Sequence, residues 1–205
     1  MAKFKERRRL AGGSLRPRGG ARMLLVHLAI LAVFGVVFPW MRPAVFLDPV
    51  VPAAYACLGL LFAGPAAAQA FALERPQSTT EALARAIRAA AYGELISALV
   101  LLAAFATVYM AHRYAFAPDL GTLPGAVWLG LAASLAAACV AGWITLYASA
   151  PAARRLLRVA FLFLLALFLL HPESLPDMAP QAALLCLLIA AAALYAISRA
   201  VAKSA

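Results

Sequence analysis

The chain has 205 residues, of which 66% are hydrophobic and 13% charged, against about 45–50% apolar usage in soluble domains. With a mean hydropathy of +0.91, that composition excludes an ordinary water-soluble domain and points to a bilayer. The formal charge of +10 would suggest nucleic acid in a soluble protein, but in a membrane chain the placement of the charges matters more than their sum.

Residues 1–22 carry Lys3, Lys5, Arg7, Arg8, Arg9, Arg16, Arg18 and Arg22 among glycines and prolines. This is a basic tail suited to anionic lipid headgroups. Residues 23–199 read as one all-α integral membrane domain of six transmembrane helices, at about 23–40, 50–73, 92–111, 125–148, 154–170 and 181–198. Residues 200–205 form a C-terminal tail. Each run is continuously apolar, whereas a barrel strand alternates every second residue. The first run ends in Phe38, Pro39 and Trp40 without a small-residue cleavage pattern, so it reads as a retained span. Gly64 and Pro65 predict a kink or break in the second. In the fourth, Ala132, Ala133, Ser134, Ala136, Ala137 and Ala138 allow close helix approach in lipid. The fifth is short and begins around Arg154, its arginines reaching back to the interface. The loop 171–180 holds His171, Glu173 and Asp177, which read as solvated charges in a segment that Pro172, Pro176 and Pro180 keep extended and irregular.

Orientation follows from the positive-inside rule. With the amino terminus in the cytoplasm and six spans, both termini are cytoplasmic and 16 of the 18 Lys and Arg residues lie on that side. Only Arg42 and Arg113 fall outside, with Asp48, Asp119, Glu173 and Asp177.

One segment breaks the apolar monotony, and this topology makes it a cytoplasmic loop between spans two and three. Ser78 and Glu81 have capping-box spacing, and Pro76 bars an earlier start, so an amphipathic helix is predicted from Thr79 to about residue 91. Glu81, Arg85, Arg88 and Tyr92 share one face, with Glu81 and Arg85 paired at i, i+4, while Leu83, Ile87 and alanines form the other. The segment is either a simple interfacial connector or a docking helix lying parallel to the membrane and receiving force from a cytoplasmic partner.

Ionisable residues inside spans are functional candidates by default. His27 lies about a turn into span one and reads as an interfacial histidine. Glu94 stands at the predicted start of span three, where a carboxylate favours the helix N-terminus. Gln69, Ser97, Thr107, Ser134, Thr145 and Gln181 read as interhelical hydrogen-bonding groups, and so few of them make any path mostly apolar, which suits a lipid-like or amphipathic substrate. Cys57, Cys139 and Cys186 lack ligand spacing and read as small hydrophobes. No serine has the glycine-flanked setting of an intramembrane protease, and the aspartates are too scattered for a lipid phosphotransferase, so the chain is not expected to be an enzyme. Cofactor, metal and catalytic residues are not predicted, and nucleic acid is not an expected partner.

The six-span layout and the segment "LERPQSTTEALARAIRAAAYGELI" resemble permeases of the type 2 ABC exporters. Their loop between spans two and three carries charged residues, Gly-Thr, Glu-x-Leu-Leu, a Pro-Val-Ser-like step and Gly-Lys at the start of span three. Here stand Glu74 and Arg75, then Thr80, Glu81, Ala82 and Leu83, then Gly93 and Glu94. No glycine precedes Thr80, Ala89 and Ala90 replace the Pro-Ser step, and Glu94 replaces the lysine. Haem exporter B type permeases share this layout. The resemblance implies a permease subunit with a coupling helix bearing Thr80, Glu81, Leu83, Arg85, Ile87, Arg88 and Glu94. It also implies a separate ABC ATPase subunit holding ATP and Mg, since the chain has no G-x-x-x-x-G-K-[ST] loop, and a second permease copy, identical or not. The setting would be multi-pass in a bacterial inner membrane, and in that family the loop before span six forms an outer gate, which would involve Leu175 and Met178. A non-catalytic membrane anchor or scaffold subunit is the alternative.

Overall fold

A computed structural model describes residues 18–48, 51, 54–55, 57–111, 121, 123–148, 159 and 175–202, with the side chains of 18–24 and 175–179 left aside. The tail before residue 18, the fifth predicted span apart from Val159, and loop residues 171–174 lie outside the described residues. Among the described residues the chain is helical, with no strand.

Helix α1 (Arg18–Ala32) runs through a π turn (Val33–Val37) into the short α2 (Phe38–Met41). A 3-10 turn (Pro43–Leu47) follows, then α3 (Gly59–Leu73), α4 (Thr79–Ala111), α5 (Leu123–Tyr147) and α6 (Leu175–Ala202). Three helices, Thr79–Ala111, Leu123–Tyr147 and Pro180–Ala202, are long and apolar enough to cross a membrane, and Leu25–Met41 and Gly59–Leu73 are shorter apolar helices. By length and composition this is a membrane protein.

Helix α5 is the centre. It packs against α3, α4 and α6, and its window is 72% buried against 22% for each of the other two long helices. A helix apolar all round is one surrounded by protein or lipid, and here alanine decides for protein: Ala132, Ala133, Ala136, Ala137 and Ala138 are all buried. Cys57, Cys139 and Cys186 are free and buried in the same core cluster. Outward positions such as Leu102, Trp128 and Leu188 are exposed, as lipid-facing residues are in the absence of lipid.

A second cluster, built on Phe46, Tyr55, Val100, Ala104 and Val108, ties the first helix to α4. The π turn loosens the backbone ladder there, with the Phe38 N–H bonding to the Val33 carbonyl. Neighbouring hydroxyls reach the adjacent carbonyls: Tyr55 Oη donates to Phe34 O at 2.8 Å and Thr107 Oγ1 to Gly35 O at 2.9 Å. Gly35 makes the approach possible, since a Cβ there would stand 3.0 Å from that of Ala103.

Two expectations are corrected. There is no break at Gly64 and Pro65, since helix α3 runs through both, with Pro65 inside it. The irregular backbone lies earlier, where Cys57, Leu58, Leu60 and Leu61 each bond three residues back. Ser97 Oγ donates to the Tyr55 carbonyl in that stretch at 2.6 Å. At the other end, α6 already includes Pro176 and Pro180, so residues 175–180 are helical rather than irregular. Pro176 is tolerated because its missing N–H would be unpaired in a first turn in any case, whereas Pro180 lies one turn further in, inside the helix.

Candidate functional site

The third predicted span and the predicted amphipathic helix are one helix. Thr79–Ala111 contains 33 residues without interruption, about 50 Å of helix against a hydrocarbon core of about 30 Å. Its charged residues, Glu81, Arg85, Arg88 and Glu94, all lie in the first half, and none follows Glu94. The apolar half therefore suits the bilayer, and the first few turns outrun it by about 20 Å. A separate helix lying flat on the membrane is ruled out by this continuity.

The predicted start at Thr79 holds, and so does the cap. Ser78 Oγ accepts the Glu81 N–H at 3.1 Å, while Glu81 Oε2 accepts the Gln77 N–H at 2.7 Å, one residue before the usual partner.

The faces of this helix do not divide as the amphipathic expectation has it: Arg88 is exposed as expected, but Arg85 is buried while Leu83 and Ile87 are exposed. Arg85 is only 8% exposed and serves the molecule itself. Its Nη1 donates to the carbonyl of Ala70 at 3.1 Å and to that of Glu74, and its Nη2 contacts the Glu74 carboxylate at 3.2 Å and that of Glu81. Ala70 lies in the last turn of α3, where carbonyls lack donors from their own helix. Arg85 thus acts as the C-terminal cap of a neighbouring helix, a place where a cation also suits the helix dipole. Ala82, Ala86 and Ala89 are buried beside it in the main core, whereas Leu83 and Ile87 are exposed, Ile87 by 50%. Thr80, Ala84 and Ala91 are exposed on the same outer side, and Arg88 is exposed with its Nε bonded to Ala84 O at 3.2 Å.

Between the end of α3 and the start of α4 lies an open groove of about 460 Å³. Glu74, Glu81, Arg85 and Arg88 make its polar wall, and Ala66, Ala70, Leu73, Ala89 and Tyr92 its apolar one. Tyr92 Oη lies 2.8 Å from His27 Nε2, and the His27 ring packs 5.0 Å from that of Phe62. His27 is thereby part of a polar link from the first helix to α4. Replacing Tyr92 with Phe removes this link and nothing of the ring, so it is expected to cost about 1 kcal/mol, read as a lower unfolding midpoint in detergent. An unchanged midpoint would show that the link contributes nothing.

Glu94 is not at a helix start. It lies mid-helix on α4, so it cannot cap that helix. Instead it meets the start of α3 from the side: a Cβ on Gly59 would overlap the Glu94 carboxylate and stand 2.9 Å from Ser134 Oγ. Ser134 Oγ, on the central helix, donates to Glu94 Oε1 at 2.5 Å. The carboxylate thus lies by the N-terminal end of α3, where the helix dipole favours negative charge. One residue earlier, Gly93 lets α4 pass against α3 so closely that a Cβ would overlap Gly59 O and stand 3.0 Å from Ala63 N. The sequence reading marked Glu94 as a candidate and named Gly93 beside it only as part of the family-like step, and it missed Gly59. Two glycines in separate apolar runs carry no local sign that they face each other.

The weaker polar residues divide. Ser97, Thr107 and Ser134 bond between helices as expected, whereas Thr145 bonds the Ala141 carbonyl of its own helix at 2.7 Å. Among the described residues no group of three metal-ligating side chains occurs.

Compared with family models, curated proteins and solved structures, the chain matches none.

Proposed function

We propose that this chain is the permease subunit of an ATP-driven ABC exporter, coupling hydrolysis in a separate ATPase to movement of an amphipathic or lipid-like substrate. The observation that supports this reading is the single helix of 33 residues. Its projecting end is locked to α3 by Arg85, and its middle meets the central helix through Glu94 and Ser134. A push on the exposed end would reach the bundle interior without a hinge to absorb it. The docking face is Thr80, Leu83, Ala84 and Ile87, while Arg85 holds the lever in place. In this reading the chain has six spans with both termini cytoplasmic, in a bacterial inner membrane. A second permease copy completes the path, and ATP and Mg bind the ATPase.

The test is isolation of the full chain from its native membrane in mild detergent. A P-loop ATPase is expected at a stoichiometry of one per permease. Ile87→Asp is expected to weaken its binding at least tenfold, since a buried interface anchor contributes more than about 1.4 kcal/mol. A chain that purifies in a stable complex lacking any ATPase would sink the exporter reading in favour of a non-catalytic anchor or scaffold subunit.

A further inference from the structure

The groove between α3 and α4 has a charge arrangement of which the exporter reading uses only Arg85. Glu74 and Glu81 both contact Arg85, so two carboxylates surround one guanidinium and the cluster is net negative by one. Arg88, on the same wall, supplies a separate positive charge. The charges are also ordered along the helix. Glu81 and Arg85 lie nearest the projecting end, Arg88 follows, and Tyr92 lies deepest, next to the apolar half. Opposite them α3 presents only apolar side chains, Ala66, Ala70 and Leu73, a surface that suits something long and apolar.

We propose that this groove binds the headgroup of a zwitterionic phospholipid of the phosphoethanolamine class, with the phosphate on Arg88 and the ammonium on the Glu74, Arg85 and Glu81 cluster. In such a lipid the phosphate lies closer to the acyl chains than the amine does, and the wall repeats that order: apolar surface, then cation, then net anion. A groove of about 460 Å³ falls within the usual range of small-molecule sites, about 300–1,000 Å³. Arginine suits a phosphate because its planar fork can donate two parallel hydrogen bonds. An anionic lipid fits less well, since it has nothing to offer the carboxylates and is repelled by them. The same chemistry is present in free phosphoethanolamine, but the apolar wall and the position at the end of the apolar half favour the lipid. The proposal is independent of the exporter reading, because it requires a membrane and not an ATPase.

The experiment uses the full chain in detergent, titrated with dihexanoyl-phosphatidylethanolamine, dihexanoyl-phosphatidylglycerol, O-phosphoethanolamine and inorganic phosphate, with binding read by calorimetry. The ethanolamine lipid is expected to bind at least tenfold more tightly than the glycerol lipid and than either soluble compound. Arg88→Gln is expected to weaken its binding at least tenfold. Glu74→Gln is expected to narrow the preference over the glycerol lipid, and Arg75→Gln, whose residue does not line the groove, to change neither. Arg88 is exposed and bonds only its own helix turn, so an unchanged melting temperature will show that the variant folds. Equal binding of the two lipids, or full affinity in Arg88→Gln, would overturn the proposal. Phosphoethanolamine binding as tightly as the lipid would overturn the lipid as the source. Competition by inorganic phosphate at similar concentration would reduce the groove to a simple anion site and overturn it as well.

Discussion

Arg85→Ala is expected to lower the unfolding free energy by about 2–3 kcal/mol, measured as a drop in denaturation midpoint in detergent. Breaking a fully buried charge pair costs about 3–5 kcal/mol. The value here is smaller because the Glu74 side chain is 74% exposed and water can solvate it once the guanidinium is gone. The carbonyls of Ala70 and Glu74 lose their donor at the same time, but neither residue is buried, so water can replace the guanidinium and this adds at most about 1 kcal/mol. Arg85→Lys is expected to recover less than half of the loss. A single ammonium can replace the charge but not a fork that reaches two carbonyls and two carboxylates together. Hydrogen exchange adds a local readout: amides near the end of α3 and the start of α4 should exchange faster, while those of the apolar half of α4 stay protected. If Arg85→Ala unfolds at the wild-type midpoint, Arg85 is not the clasp between these helices.

Gly93→Ala is expected to be the second severe substitution, costing about 2–3 kcal/mol, and to exceed Gly59→Ala. Two effects oppose each other at position 93. Alanine is intrinsically better than glycine in a helix by about 1 kcal/mol, but the new methyl would overlap a backbone atom of α3, Gly59 O, and crowd another, Ala63 N. Backbone cannot rotate aside, so the helices must separate, and overpacking of this kind costs about 1–3 kcal/mol before lost contacts are counted. At position 59 the overlap is with the Glu94 side chain and with Ser134 Oγ, both of which can change rotamer at a cost of about 1 kcal/mol. The order of the two variants is therefore as informative as either magnitude. A Gly59→Ala midpoint below that of Gly93→Ala would show that the Glu94 and Ser134 contact, rather than backbone approach, governs the crossing.

The distinction between these residues shows why part of the site was legible beforehand and part was not. The cap at Ser78 and Glu81 was readable because it is a local pattern, closed within four residues. Helix class was readable from continuous apolar runs, which alternating barrel strands do not give. Arg85 was legible as an important charge but not in its role. Its partners Ala70 and Glu74 belong to the preceding helix, and nothing in the spacing says that the end of α3 lies against its face. The apolar and polar faces were assigned by the usual logic of a soluble amphipathic helix, but a helix rich in alanine can pack alanine inward and leave Leu83 and Ile87 outside. Small side chains permit closer approach, and close packing is what drives association between helices in a membrane.

By itself the sequence determined that this is a helical membrane chain, that a helix starts at Thr79, and that Glu81, Arg85, Arg88 and Glu94 are charges to be accounted for. All of that depends on local propensity and on the cost of exposing backbone polar groups to lipid. Only the tertiary structure decided that α4 is a single rod, that Arg85 faces inward to cap another helix, and that Glu94 meets Gly59 and Ser134. Those outcomes depend on which helices are neighbours, and neighbours are chosen by shape complementarity among residues far apart in the chain.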